Sequence, residues 1–220
     1  MDNRVHVIIA RYGEDIAWAD ELGYGYVVYD KGGQPAANAV ALPNIGREGH
    51  TWLTHIVHHY EALAPVSVFL QGDPFDHISE QGRGTVSMLR SMIEDVVVKK
   101  TPFKGFAWFR IKCDGLGRPH DLRDVANQGR WAGWGRDIPV AEVFDELFDA
   151  QPPDQFIVRG AAGCFAVTAE RIRTRPRAFY EHGLRLFEAD PDDARNTGHA
   201  FERLWHCIFN GNTAWNKTQY

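Results

Sequence analysis

Five histidines, His50, His55, His58, His59 and His77, fall between Leu42 and His77, with Glu48, Glu61, Asp73 and Asp76 among them. These side chains carry protons and bind metal ions, so chemistry is to be sought here first. The segment Gln71-Gly72-Asp73-Pro74-Phe75-Asp76-His77 follows an apolar run, Pro65 to Leu70, that reads as a strand. Carboxylates at the mouth of a parallel sheet suit Mg²⁺ or Mn²⁺, which prefer oxygen ligands and bridge to phosphates. Asp73, Asp76 and His77 are therefore the candidate metal ligands, and His77 is also a candidate acid or base. Upstream, Asn44-Ile45-Gly46-Arg47 opens a predicted helix. Free backbone N–H groups, a glycine that permits close approach and a guanidinium are the parts of an anion site. The structural alternatives are plain: Asp, Gly and Pro make turns, and Asn and Gly cap helices.

The predicted helix over 47–63 places Glu48, His55 and His59 within about 40° of one another, at roughly 100° per residue. A histidine pair at i, i+4 can grip one metal ion. The zinc-protease pattern is absent, because no glutamate stands between His55 and His59. The competing reading is a polar flank that hydrogen-bonds its neighbours. Near the C-terminus, His199, Glu202 and His206 share a helix face opposite Phe201, Leu204, Trp205 and Ile208. A glutamate beside an imidazole is a candidate general base, and a solvated helix face is the alternative. No GxSxG elbow, Walker loop or GxGxxG fingerprint follows a strand. Cys113, Cys164 and Cys207 form no CxxC and carry no nucleophile pattern, which fits a reducing compartment.

The elements that must position these groups follow from periodicity. Val5–Ala10, Tyr24–Tyr29 and Pro65–Leu70 read as buried strands, separated by helix-length crossovers. That order implies parallel pairing in a doubly wound α/β sheet, which binds ligands beyond the carboxyl ends of its strands. Arg11, Tyr12, Asp30 and Lys31 then share the binding edge with Asp73. Residues 34–45 read as a loop and 86–97 as a helix. Phe106–Ile111 reads as a strand, and 113–138, rich in Gly, Arg and Trp, as a long functional loop. A helix opens at Pro139, short strands at 155–158 and 164–167 flank a small-residue turn, and two helices follow. No linker or repeat divides the chain, so 1–220 is expected to be a single domain. The net charge of -5 argues against nucleic acid as a partner. The apolar run at the N-terminus is too short for a signal peptide or membrane span, so a cytoplasmic location without a membrane span is expected.

Several motifs together resemble a known group. ARYGEDIAW (10–18), VVYDKG (27–32), LPNIGREGHTWLTHI (42–56) and VFLQGDPFDH (68–77) occur in an order and spacing similar to the family catalogued as domain of unknown function 3431. FIVRGAAGCFAVTAERIRTRPRAFY (156–180) and HAFERLW (199–205) are similar to its later motifs. The family pattern carries Asn where this chain has Asp30, and often His where it has Asp73. The resemblance brings no settled activity. The pattern is distantly like nucleotide-sugar glycosyltransferases of the A-type fold, which implies a three-layer α/β sandwich with a mostly parallel central sheet. Those enzymes carry an acidic metal-binding motif after a strand; here no Asp-x-Asp triplet exists, and Asp73 and Asp76 are separated by two residues.

The leading expectation is a glycosyltransferase-like enzyme that moves a sugar from a nucleotide-sugar donor to a small-molecule or glycan acceptor. Arg11, Tyr12, Asp30, Lys31, Asn44, Arg47 and Glu48 would contact the donor. A divalent Mn or Mg ion on Asp73 with Asp76 or His77 would hold the diphosphate. Glu202 or His50 would deprotonate the acceptor, and the Trp131–Trp134 loop would close over the sugar. Two other classes stand beside it. One is a metal-dependent hydrolase or lyase using His50, His55, His59 and His77. The other is a non-catalytic sugar- or nucleotide-binding module. Oligomeric state, donor sugar and stereochemistry stay open.

Overall fold

The computed structural model describes residues 3–33, 37–117, 138–160, 163–189, 191–192 and 194–209. Four strands, β1 (Val5–Arg11), β2 (Gly25–Asp30), β3 (Val40–Ala41) and β4 (Val66–Gln71), pair in parallel. β5 (Phe103–Gly105) and β8 (Phe165–Thr168) complete a six-stranded sheet of order β3-β2-β1-β4-β8-β5, with β8 antiparallel to both neighbours. Five strands thus run one way and one the other. β6 (Arg110–Asp114) and β7 (Gln155–Arg159) form a separate antiparallel ribbon.

The apolar runs explain the centre. β4 buries every residue from Val66 to Leu70, as expected of a strand covered on both faces. In β1, Ile8 points into one apolar cluster while Val5, Val7 and Ile9 point into the other. Helices α1 (Trp18–Leu22) and α3 (Val86–Lys99) supply the second cluster. Helices α2 (Arg47–His59), α4 (Val140–Phe148), α6 (Arg177–Ala189) and α7 (Ala194–Phe209) supply the first. A short helix, α5 (Ala169–Ile172), follows β8 with Thr168 capping it. Among the described residues no helix is long and apolar enough to cross a membrane.

Three local expectations change. The run at 106–111 is not one strand: the chain leaves the main sheet after Gly105 and joins the ribbon at Arg110. Between them Phe106, Ala107 and Trp108 donate backbone bonds to Cys164, Gly160 and His77 instead of to a ladder. Gly160 permits this crossing, since at φ +73 a Cβ there would lie 2.9 Å from the Gly105 carbonyl oxygen. For the same reason β7 and β8, expected as neighbours around a small turn, belong to different sheets. In the loop over 34–45, Val40 and Ala41 pair with Tyr29 and Asp30, a two-residue strand too short to show a period. The face of α7 that read as solvated is buried: Glu202, Arg203 and His206 are all nearly inaccessible. Most of residues 113–138, including Trp131 and Trp134, lie outside the described residues.

Candidate functional site

Register builds the site. Pairing β1 with β2 sets Arg11 opposite Asp30, and pairing β1 with β4 sets Ala10 opposite Gln71. The carboxyl ends of three parallel strands therefore meet at one edge, where the N-terminus of α2 also arrives. They enclose a cleft of about 670 Å³, within the range of small-molecule sites. Arg11, Tyr12, Lys31, Asn44, Arg47, Glu48 and Asp73 all line it, together with Glu14 and Gln71, which the sequence did not single out.

Several of these side chains are already engaged. Arg11 ion-pairs with the wholly buried Asp30 and donates Nε to the Glu14 carbonyl at 2.8 Å. Asp30 itself lies beneath the cleft rather than in its wall, and its second oxygen accepts from the Gly32 N–H. Lys31 is buried and donates its ammonium to the carbonyls of Ile45 and Arg47. Desolvation pushes its pKa down to about 8. Those two carbonyls converge because Gly46 and Arg47 both adopt left-handed backbone, φ 63 and 51. Glycine is required at 46, where a Cβ would stand 2.2 Å from the Phe187 ring. Lys31 thus acts as a positioning residue for the turn that carries Arg47 and Glu48, and Asp30 holds Arg11 and the turn at Gly32.

Behind that turn lies a charged network between α2 and α7. The Arg47 guanidinium is 3.5 Å from Glu48, 3.4 Å from Glu202 and 3.4 Å from the His199 ring. His199 meets the other Glu202 oxygen at 3.4 Å, and Arg203 stands 3.8 Å from it. Glu48 and Glu202 are neighbours in this network, and each carboxyl acts on the ionisation of the other. Burial, then the Glu202 charge, push the Glu48 carboxyl well above the usual carboxylate range. Burial also opposes ionisation of Glu202, but the hydrogen bond from His199 and the Arg47 charge outweigh it, so its pKa falls. The two neighbouring carboxyls are thus held at different proton affinities. Glu48 Oε1 is buried with no donor among the described residues. Gly163 sits directly against it, where a Cβ would be 3.0 Å away.

The remaining expected residues scatter. Asp73 and Asp76 both bind Arg83, at 2.8 and 3.0 Å, in the positions a cation would take. Asp76 is exposed, and among the described residues no three His, Cys, Asp or Glu side chains converge as a metal site. The donor set therefore does not fit a divalent ion as the loop is built. His77 lies off the cleft with its ring edge-on to Phe109. His50 also faces away from the cleft and meets Phe187 edge-on, and burial, then Lys31, hold its pKa down to about 4. His55 belongs to the core, its Nδ1 3.0 Å from the Tyr29 hydroxyl and its ring centroid 4.6 Å from that of His59. Glu202 lies behind the cleft wall, so of this pair Glu48 is the carboxyl that lines the cleft.

Residues 7–219 match the family described as Protein of unknown function (DUF3431). The chain belongs to this family. The match spans the motifs at 10–18, 27–32, 42–56 and 68–77 that line the cleft, and the later ones that carry Gly163 and Glu202. No curated protein and no solved structure matches the chain. For this member of DUF3431 the chemistry is therefore read from its own geometry. Glu14 and Arg83 gave little local signal, and the meeting of Glu48 with Glu202 spans 154 residues with no spacing rule to announce it (202 minus 48).

Proposed function

We propose that this chain is a glycosyltransferase-like enzyme that binds a nucleotide sugar in the cleft and transfers its glycosyl group to a hydroxyl acceptor. The observation that carries the reading is the placement of Glu48, beside Arg47 and Glu202, at a cation-lined cleft at the carboxyl ends of parallel strands. This is where open α/β sheets take ligands, and the arrangement suits a nucleotide-sugar-transferase-like three-layer sheet. The diphosphate would lie against the α2 N-terminus and Arg47, where the helix dipole and the guanidinium both favour negative charge.

In the transfer the glycosidic C–O bond to the diphosphate breaks and a new C–O bond to the acceptor forms. The nucleoside diphosphate leaves with the bonding pair, and its charge grows beside Arg47. The acceptor hydroxyl proton passes to Glu48 in its ionised form, the carboxylate of the pair that lines the cleft and, by its raised pKa, the stronger base. No step is routed through a metal ion, because Arg83 occupies the carboxylates that would hold it. Incubation with UDP- and GDP-sugars and a panel of hydroxyl acceptors, reading nucleoside diphosphate release, tests the reading. Release should fall about 10²- to 10⁴-fold in Glu48→Gln. Release unchanged in that variant would reject the assigned role, and no release from any donor would reject the transferase.

A further inference from the structure

The β6–β7 ribbon pairs Arg110 directly with Arg159. Residues opposite one another on an antiparallel pair share a face with Cβ atoms about 5 Å apart, and like charges there oppose pairing. Neither guanidinium has a carboxylate partner among the described residues. Both line a second cavity of about 480 Å³ with Lys104, Trp108, Phe109 and Glu80, so three cations face one carboxylate. Trp108 is 51% exposed at its rim, although its backbone is fixed by a 2.9 Å bond to the His77 carbonyl. Its ring meets Phe109 edge-on at 5.6 Å. Lys104, Arg110 and Arg159 are exposed, and three cations beside a half-bare indole suit an anionic ligand with an apolar face.

Among the described residues the cavity and the cleft share no lining residue, but the chain links them closely on the Glu48 side. Gly160 lines the cavity, and Gly163 sits against Glu48 Oε1. Only two residues stand between them in the chain, so the two glycine Cα atoms are no more than about 11 Å apart. We propose that this cavity is the acceptor subsite and takes a saccharide unit bearing a carboxylate, such as a uronic acid. Arg110 and Arg159 bind the carboxylate in bidentate fashion, Trp108 covers the ring, and a hydroxyl is presented toward Glu48. The choice of acceptor rests on the transferase reading, but the binding of an acidic sugar does not.

The test is binding of a galacturonate disaccharide to the full chain without donor, followed by calorimetry. The neutral galactose disaccharide and inorganic sulfate serve as comparisons. The acidic disaccharide should bind, weaken as salt rises, and lose at least tenfold in affinity in Arg110→Gln and in Trp108→Ala. The neutral one should bind at least tenfold more weakly. Melting temperature should hold or rise in Arg110→Gln, since a repulsion is removed, whereas a structural arginine would lower it. Equal binding of both disaccharides, binding of sulfate as tight as of galacturonate, or affinity untouched by Arg110→Gln would overturn the subsite. Galacturonate binding with no donor binding would leave the subsite standing and reject the transferase.

Discussion

At the residue scale the strongest statement concerns Glu48. Its type and its place in the first turn of α2 were legible in the sequence, as was Arg47 beside it. Its partner was not, because a contact between residues 48 and 202 is set by how α2 and α7 pack, not by any local spacing. Glu202 read as the base and Glu48 as a donor contact; the structure puts Glu48 at the cleft and Glu202 behind it. A raised folded pKa stabilises the fold below the unfolded value near 4.5, and that contribution is lost as pH rises through the folded value. The Glu48 contribution should therefore shrink as pH rises from about 5 to 7, so the stability difference between wild type and Glu48→Gln in thermal melts should change over that window in the direction of a relatively more stable variant. Gly46→Ala should cost about 2 kcal/mol or more in denaturant unfolding, since it adds left-handed strain to a clash with Phe187.

At the element scale, the strands were readable because their apolar runs are short, β-branched and bounded by turn residues. The helix boundaries were less so: α2 ends at His59 rather than continuing toward Leu63. For the histidines on α2, residue type alone left a metal pair and a hydrogen-bonding flank both open, and His55 takes the second role against Tyr29. His55 is a core residue that is neutral because burial, then His59 and His6, lower its pKa to about 3. On α7, burial likewise brings His206 to about 4. A group lowered in this way adds stability above the unfolded value of 6.5, and the contribution is lost as pH falls toward the folded value. Melting temperature should therefore drop between pH 6.5 and 4, each pH unit of separation being worth about 1.4 kcal/mol per group. The double variant His55→Gln, His206→Gln should be less stable at pH 7 and fall less steeply over that window, the remaining slope coming from His50. An equally steep fall in the double variant would place the acid sensitivity elsewhere.

At the scale of the whole molecule, the convergence of Arg11, Lys31, Arg47 and Asp73 on one edge was predictable from the parallel order alone, because such a sheet can present its strand ends in only one direction. The antiparallel β8, the separate ribbon and the Arg83 clasp on Asp73 were not, since each depends on pairing across distant segments. The clasp carries a prediction for the intact protein: Mn²⁺ should change donor affinity by less than about twofold in the wild type. The measurement that bears most directly on the central claim is calorimetric titration with UDP- and GDP-sugars, with and without Mn²⁺. Saturable binding to at least one of them, weakened tenfold or more in a folded Arg47→Ala variant, is the predicted result. Heats no greater than dilution for every common nucleotide sugar, or an affinity indifferent to Arg47, would contradict it.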